Sequence, residues 1–357
     1  MIQDPIFLSI LFIQALVNIF IIKLWNSPQL ARFHGVYQAE QKIHEGFIPR
    51  FGGMAMLLSL FLVDYFGVLS QFNSPYLGHI LVCLLPLIFV TFLEDVYNNI
   101  LPQARLFFIF VSSIWILISG DFVLPVIDLP LVSGFFIDFP WVLVLLLTIA
   151  MAAMVNAFNL VDGANGLLMF TFISILGCLS LMAEFVSDTY FIQLFQILIL
   201  ICVCQILFNF PRARMFAGDL GAYSFGYIVA ILLIIFFGRY PEFLTWQAIL
   251  ILFYPAFELL FTIIRRMKDD KSPLQADRLH LHQLIFTILE NRMSNSVGAN
   301  ALTTILLFPI WGCAFLWILM NGAQLDLKMT CLGLFINTFL YLIYYQVALN
   351  LTKNAQR

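Results

Sequence analysis

One run of polar residues places two amides and a carboxylate at a regular spacing. Asn156, Asn159 and Asp162 recur at every third residue, and on a helix they would share an arc of about 120°. Gly163 and Gly166 follow, at the point where the next apolar run begins. Such a face would present two amides and one acid to a ligand, an order that a random loop between apolar segments does not require.

Carboxylates stand at the edges of two further apolar runs. Glu94 and Asp95 are adjacent at the end of one run, and Asp219 occupies a Gly-Asp-Leu-Gly motif after Arg212 and Arg214. Acids at a membrane edge are costly unless they are hydrated, paired or bound to metal, and hard oxygen ligands suit Mg²⁺ or Mn²⁺. Cations beside a carboxylate suit a phosphorylated substrate bridged by a metal. A solvated helix end and a charged loop are the alternatives.

Imidazoles and a further arginine complete the set of reactive groups. His280 and His282 follow Arg278, and they can converge on one ligand if their segment is extended or looped. A metal ion and a pyrophosphate are equally reasonable ligands. Arg50 follows His44 and precedes a Gly-Gly pair, which permits close approach of a ligand or another helix. Its forked donors suit a phosphate, although a turn at the start of a helix explains this segment equally well.

An integral membrane protein is the class that the composition indicates. Of 357 residues, 62% are hydrophobic and only 10% are charged, with a mean hydropathy of +0.98. A soluble domain of this length needs more charge, and a net charge of −3 leaves no footprint for nucleic acid. We predict an all-α polytopic bundle of about 11 transmembrane helices (10–11), since a span needs about 20 apolar residues. The predicted spans are 6–24, 52–70, 79–93, 106–120, 140–158, 166–183, 189–208, 222–237, 244–264, 300–320 and 328–350.

The placement of lysine and arginine predicts the orientation. With a periplasmic N-terminus, 15 of the 17 lysines and arginines fall on the cytoplasmic side, whereas the outer segment 121–138 has three aspartates and no cation. All the polar clusters then lie at the cytoplasmic face. We predict a single membrane domain, 1–357, whose first apolar run is a retained span because it lacks a basic n-region. The cytoplasmic loops are about 25–51, 94–105, 156–166, 209–221 and 265–299.

Two acids lie inside predicted spans. Glu258 is two helical turns before Arg265, near enough to the cytoplasmic end to join the polar clusters. Asp64 falls well inside its span, toward the outer side. Acids in lipid are functional candidates, and we favour Glu258 because the other reactive groups are on its side.

The motifs resemble those of the polyprenyl-phosphate N-acetylhexosamine-1-phosphate transferases, members of glycosyltransferase family 4. They occur in the family's order between residues 44 and 283, as the Asn156 run, the Gly-Asp-Leu-Gly motif at Asp219, and Asp-Arg-Leu-His-Leu-His ending at His282. The last motif is similar to that of O-antigen and common-antigen initiators more than to that of the peptidoglycan phospho-MurNAc-pentapeptide translocase.

The resemblance implies a reaction in a bacterial inner membrane. A UDP-N-acetylhexosamine and undecaprenyl (polyprenyl) phosphate would give polyprenyl-pyrophosphoryl sugar and UMP. This step initiates lipid-linked synthesis of a cell-surface polysaccharide such as O-antigen. The expected cofactor is Mg²⁺ or Mn²⁺. A homodimer stays open, as does a covalent aspartyl-phosphate route beside direct displacement.

Each motif then receives a role. We expect Asp219 to bind the metal, with Glu94 and Asp95 positioning or deprotonating the lipid phosphate or assisting the metal. Asn159 and Asp162 would hold the nucleotide or its sugar, and the expected catalytic residues are Glu94, Asp95, Asp162 and Asp219. The remaining substrate-binding candidates, which include the expected pyrophosphate contacts of the histidine motif, are His44, Arg50, Asn156, Arg278, His280 and His282.

Three positions depart from the family's pattern. Its acidic pair is usually Asp-Asp, so Glu94 keeps the charge and adds a methylene. Ala222 replaces a serine that often follows Gly-Asp-x-Gly, and Gln283 replaces a histidine that often follows His-x-His.

A secondary transporter would place charges near the bilayer midplane and show repeat symmetry. A non-catalytic carrier-binding subunit would leave the ordered carboxylates unexplained.

Overall fold

The described segments of the chain are mainly helical. The computed structural model describes residues 5–26, 48–72, 76–128, 133–270 and 278–355, and within these ranges it has no β-strand. The helices are α1 (Pro5–Trp25), α2 (Gly52–Tyr65), α3 (Tyr76–Tyr97), α4 (Pro102–Ser119), α5 (Ser133–Asp138), α6 (Pro140–Val161), α7 (Leu167–Phe185), α8 (Thr189–Asn209), α9 (Gly218–Arg239), α10 (Thr245–Ile251), α11 (Phe253–Lys268), α12 (Leu281–Glu290), α13 (Ser296–Leu306), α14 (Phe308–Trp311), α15 (Cys313–Asn321) and α16 (Leu327–Ala355).

The all-α polytopic architecture is confirmed. In the described part of the chain, eight helices are long and apolar enough to cross a membrane, and two bent pairs raise the number to ten if each pair is one span. The bent pairs are α10 with α11, and α13 and α14 with α15. The predicted segment that has no counterpart among these ten is 52–70, which falls on α2, a helix of only 14 residues. The count of eleven, the orientation and the single domain stay predictions.

Several predicted spans differ from the helices that form. The segment 52–70 ends early, because α2 stops at Tyr65 and Gly67 turns the chain with a φ of +61°. Asp64 therefore lies exposed in the last turn of α2, and the prediction that it sits well inside a span is wrong. The segments 79–93 and 106–120 fall on full-length helices of 22 and 18 residues.

The predicted span 244–264 is not one straight helix. A break at Leu252 bends α11 by 79° from α10. Pro255 follows in the first turn of α11, where a residue without an N–H costs no helical hydrogen bond. The segment 300–320 is likewise bent, by 40°. After these bends, α11 packs against α6 and α15 packs against α7.

Helix α9 is the centre of the bundle. All its residues from Gly218 to Phe237 are buried, and α2, α3 and α6 pack against it. A helix that is apolar all round is expected to be buried all round. The first turn of α9 carries Asp219, so the most enclosed helix also positions the acid of the Gly-Asp-Leu-Gly motif.

The starts of α2 and α9 are joined by backbone hydrogen bonds. The N–H groups of Gly52 and Gly53 donate to the carbonyl oxygens of Phe216 and Ala217, at 2.9 and 2.8 Å. A Cβ on Gly53 would meet the backbone nitrogen of Gly221 at 2.2 Å. The close approach expected of the Gly-Gly pair is therefore made to another helix.

Gly218 permits the tightest of these approaches. Its φ is +73°, and a Cβ there would lie 1.9 Å from the carbonyl oxygen of Arg50 and 2.6 Å from Oδ2 of Asp95. Backbone atoms cannot yield as a flexible side chain can. The residue before Asp219 must therefore be glycine for both steric and conformational reasons.

We expect Gly218→Ala to lower the thermal unfolding midpoint in detergent strongly, or to prevent folding. Gly322→Ala is the matched control, because Gly322 has a φ of +93° but nothing lies within 4 Å of its Cβ position. The control should show only the left-handed backbone strain, about 1 kcal/mol. Equal shifts in the two variants would contradict the steric explanation.

Candidate active site

The carboxylate of Asp219 is held between two arginines. Arg50, immediately before α2, donates from Nη2 to Oδ1 at 2.8 Å, and Arg105, in the first turn of α4, donates from Nη1 to Oδ2 at 2.6 Å. The Asp219 side chain is 6% exposed, whereas that of Arg50 is 36% exposed. Charge-assisted hydrogen bonds of this kind hold their geometry well. Two guanidinium groups are thus fixed side by side at one end of the bundle.

Asp95 holds the N-terminus of α9. Its Oδ1 accepts the backbone N–H of Asp219 at 2.9 Å, and its Oδ2 accepts that of Leu220 at 2.8 Å. The first N–H groups of a helix have no partner within the helix, so an acid from α3 supplies the cap. Arg50 Nε lies 3.9 Å from the same carboxylate. Asp95 therefore positions Asp219 through the backbone of α9.

Glu94 closes the loop between α3 and α4. Its Oε2 accepts the backbone N–H of Ile100 at 2.7 Å, and its Oε1 lies 3.6 Å from Nη1 of Arg105. The longer side chain still reaches the arginine that binds Asp219. Glu94, which stands where the family usually has aspartate, therefore still places a carboxylate in the Asp219 cluster.

The Asn156, Asn159 and Asp162 run comes at the end of α6. The two asparagines lie in its last turns and Asp162 is its C-cap, and all three side chains are half-buried. Asn156 donates to the carbonyl oxygen of Ala152 at 2.7 Å. Burial raises the pKa of Asp162 to about 7, with Arg50 lowering and Asp219 raising the pKa. Asp162 is therefore close enough to the Asp219 cluster to interact with it electrostatically.

Tyr223 is a site residue that the sequence analysis did not identify. Its hydroxyl accepts a hydrogen bond from Nδ2 of Asn159 at 3.4 Å, and its ring lies 5.8 Å from Cζ of Arg105. Arg105 was likewise given no role and was only counted among the 15 cytoplasmic lysines and arginines. Tyr223 follows Asp219 by four residues on one helix, a spacing that places two side chains on one face. That spacing could have identified it.

Glu258 orients the histidine motif. Its Oε1 lies 3.2 Å from Nδ1 of His280 and accepts the backbone N–H of Leu281 at 3.3 Å, while Tyr341 donates to Oε2 at 2.7 Å. The acid thus caps α12 as Asp95 caps α9. A proton held on Nδ1 leaves the lone pair of a neutral His280 ring on Nε2. The prediction that Glu258 joins the polar clusters is confirmed.

The two imidazoles of the motif are parallel. The ring centroids of His280 and His282 are 5.8 Å apart and their planes differ by 4°. His280 has extended backbone as the N-cap of α12, so the two rings lie side by side. The pKa of His282 is lowered to about 4, chiefly by burial and also by His280, with Glu258 acting in the opposite direction. His282 is therefore neutral at pH 7.

Gly163 brings the histidine motif to the other clusters. A Cβ on Gly163 would lie 2.0 Å from Nε2 of His282, so the imidazole packs directly on the glycine backbone. Asp162 precedes this glycine and interacts electrostatically with Arg50 and Asp219. The clusters of the described segments therefore meet at one end of the bundle.

The remaining predicted residues are His44, Arg278, Arg212 and Arg214. His44 lies outside the described residues. Arg278 is exposed where the last described range begins, and Arg212 and Arg214 are exposed on the loop between α8 and α9. Within the ranges described above, no ion pair links Arg212 or Arg214 to an acid. The arginines that meet the acid are Arg50 and Arg105.

The acids suit a metal ion whose other ligands are waters and substrate phosphates. Among the described residues, no group of three His, Cys, Asp or Glu side chains forms a metal-binding cluster. Both carboxylate oxygens of Asp95 accept backbone N–H groups, and those of Asp219 face arginines. Mg²⁺ is commonly held by one or two carboxylates with waters and substrate phosphates. Asp219, with Glu94 nearby, fits that mode.

Comparison with known proteins gives a consistent family. Residues 77–237 match the profile described as "Glycosyl transferase family 4". The chain is 27% identical over 263 residues to a probable undecaprenyl-phosphate N-acetylglucosaminyl 1-phosphate transferase of Bacillus subtilis, covering 72% of this chain and 71% of the relative. It is 28% identical to an undecaprenyl-phosphate alpha-N-acetylglucosaminyl 1-phosphate transferase of Salmonella typhi, over 69% and 67%. The corresponding protein of Thermotoga maritima is 23% identical, over 68% and 70%.

We expect Asp95→Asn to destabilise the protein by about 1–3 kcal/mol, because one N–H of α9 then loses its acceptor in a buried place. Activity should fall with it, since Asp219 loses its position. Asp188→Asn is the matched control: Asp188 accepts from Tyr190 and Phe191 N–H as the N-cap of α8, away from Asp219. Thermal unfolding and turnover are measured for both. An active Asp95→Asn variant would refute the positioning role.

Proposed function

Because this chain belongs to glycosyl transferase family 4, we propose that it transfers an N-acetylhexosamine 1-phosphate from a UDP-sugar to undecaprenyl phosphate. The products are undecaprenyl-pyrophosphoryl sugar and UMP. The reaction takes place at the cytoplasmic face of a bacterial inner membrane and initiates a lipid-linked surface polysaccharide. The multi-pass fold supports this, since one substrate is a membrane lipid and the other a water-soluble nucleotide.

The observation that carries the proposal is the pair of arginines on Asp219. Arg50 and Arg105 lie on its two carboxylate oxygens at 2.8 and 2.6 Å, at the end of the bundle where α2, α4 and α9 begin. Two fixed guanidinium groups suit a diphosphate, because each can meet an anionic oxygen with paired donors. The reaction needs such a site, since both of its substrates carry phosphate.

The lipid phosphate needs little activation as a nucleophile. The second pKa of a phosphate monoester is near 6, so the group is largely ionised at pH 7. One of its oxygens attacks the β-phosphorus of the UDP-sugar, the bond from that phosphorus to the bridging oxygen breaks, and UMP leaves. The protein's task is to align two anions and to stabilise charge on the transferring oxygens. Arg50 and Arg105 perform the second part.

Charge balance favours a divalent cofactor. Arg50 and Arg105 face the three carboxylates of Glu94, Asp95 and Asp219, so the cluster carries no excess positive charge for two phosphorylated substrates. Mg²⁺ or Mn²⁺, bound by Asp219, would supply that charge at the phosphate oxygens. We assign Asn159 and Asp162 to the nucleotide or sugar, and His280 and His282 to the pyrophosphate region. In this role the neutral His282 donates one hydrogen bond.

A transporter is the less favoured alternative. The acids and arginines of the described clusters gather at helix ends, and α9, the central helix, carries no acid or base between Asp219 and Arg239. A transport pathway is expected to place binding groups near the midplane. The same clusters argue against a subunit that only binds the carrier, because lipid binding alone does not need Asp219 between two arginines.

The reaction is tested with purified protein in detergent, undecaprenyl phosphate, Mg²⁺ and a panel of UDP-N-acetylhexosamines. We expect release of UMP that depends on the lipid and stops on addition of EDTA. The panel identifies the sugar in the same assay. No UMP from any donor, with folded protein, would refute the proposed reaction, and activity that survives EDTA would refute the metal.

We expect Asp219→Asn to lower turnover by about 100-fold or more, because both the metal ligand and the counter-charge of the arginines are lost. Asp326→Asn is the control, since the side chain of Asp326 accepts the N–H of Met329 at the start of α16 and makes no contact with the Asp219 cluster among the described residues. Each variant is also tested for thermal stabilisation by Mn²⁺ with UDP-sugar. Normal turnover in Asp219→Asn would rule out the assigned role.

A further inference from the structure

The face of α9 that carries Asp219 also carries an aromatic hydroxyl. Tyr223 lies one turn after Asp219 and is 3% exposed. Residues three and four positions after Asp219 share its face of the helix. The first is Ala222, which has no hydroxyl, and the second is Tyr223. Any hydroxyl that α9 presents beside Asp219 at these positions therefore comes from Tyr223.

Tyr223 contacts Asn159 at the end of α6 and Arg105 at the start of α4. Its hydroxyl oxygen accepts from Nδ2 of Asn159 at 3.4 Å, and its ring lies beneath the guanidinium of Arg105 at 5.8 Å. Arg105 in turn binds Asp219 at 2.6 Å. A buried phenol thus links the amide at the end of α6 to the arginine at the start of α4.

The hydrogen-bond inventory of this contact leaves groups for a ligand. A phenol has one donor and can accept as well, and a primary amide has two donors and an acceptor. With Nδ2 of Asn159 directed at Tyr223, the amide Oδ1 is oriented away from the tyrosine. The phenol proton has no acceptor among the residues that the structure describes. Buried polar groups are normally paired, so a substrate is the natural partner for this donor.

We propose that Tyr223 is a binding and positioning residue for the UDP-sugar: its hydroxyl orients Asn159 and donates to an oxygen of that donor, while its ring holds Arg105 over Asp219. The inference rests on the proposed transferase function and names a residue of the same site. It assigns two separable effects to one side chain. The hydroxyl acts on affinity for the UDP-sugar, and the ring acts on turnover through Arg105.

The test is a pair of substitutions. Tyr223→Phe removes the hydroxyl and keeps the ring, so we expect the KM for the UDP-sugar to rise about 5- to 10-fold, the loss of one buried hydrogen bond. The KM for undecaprenyl phosphate and kcat should change less than 2-fold. Tyr223→Leu also removes the ring, and we expect kcat to fall a further ~5-fold or more as Arg105 loses its cation–π contact.

Tyr227→Phe is the matched control. Tyr227 lies one turn further along α9, is fully buried, and donates its hydroxyl to the carbonyl oxygen of Ser112 at 2.9 Å. Its loss removes a tyrosine hydroxyl from the same helix outside the site, so stability should fall while both KM values stay unchanged. A merely structural Tyr223 would give the same result as this control.

A binding measurement separates this proposal from the reaction itself. Without undecaprenyl phosphate, UDP-sugar should raise the unfolding midpoint of the wild type and of Tyr227→Phe, and raise that of Tyr223→Phe much less at equal concentration. A wild type stabilised by the nucleotide, with Tyr223→Phe equally stabilised and unchanged in KM, would overturn the role of Tyr223 alone. A wild type that neither binds UDP-sugar nor releases UMP would overturn both proposals.

Discussion

The rest of the site depends on the buried carboxylate of Asp95 at the start of α9. Burying an acid in a membrane protein costs several kcal/mol unless its oxygens are satisfied. Here the N–H groups of Asp219 and Leu220, in the first turn of α9, satisfy both oxygens, with Arg50 nearby, and the positive end of the helix adds to the attraction. This contact fixes the axial position of α9 relative to α3. It leaves no room for a side chain at residue 218, and it directs the carboxylate of Asp219 toward the two arginines.

The same device appears a second time, where Glu258 of α11 accepts the first N–H of α12 and orients His280. Free helix N-termini are common phosphate sites in proteins. In this protein two such termini at the site are already taken by acids from neighbouring helices. We therefore propose that phosphate recognition falls to arginine side chains, imidazoles and a metal, in a reaction whose two proposed substrates both carry phosphate.

Polar contacts inside the bundle support the outer helices that bear these groups. Asn18 of α1 donates to Gln205 of α8 at 3.0 Å, and Ser59 of α2 donates to Gln14 of α1 at 3.3 Å. Hydrogen bonds between helices fix helix register where apolar packing is non-directional. α2 begins beside Arg50, so this network helps to keep that arginine at its place against α9.

Sequence alone determined the class of protein, most of the helical segments and most of the residues that form the polar clusters. Apolar runs long enough to span a bilayer, with acids and glycines at their ends, admit few other structures, so Asp219, Glu94, Asp95, Asn159 and the two histidines were identified from local pattern. Tertiary structure decided the rest. The breaks at residue 252 and near 312, the early end of α2, and the roles of Arg105 and Tyr223 depend on which helices meet. Periodicity describes one helix at a time, whereas a cap or a counter-ion supplied by another helix arises only from packing.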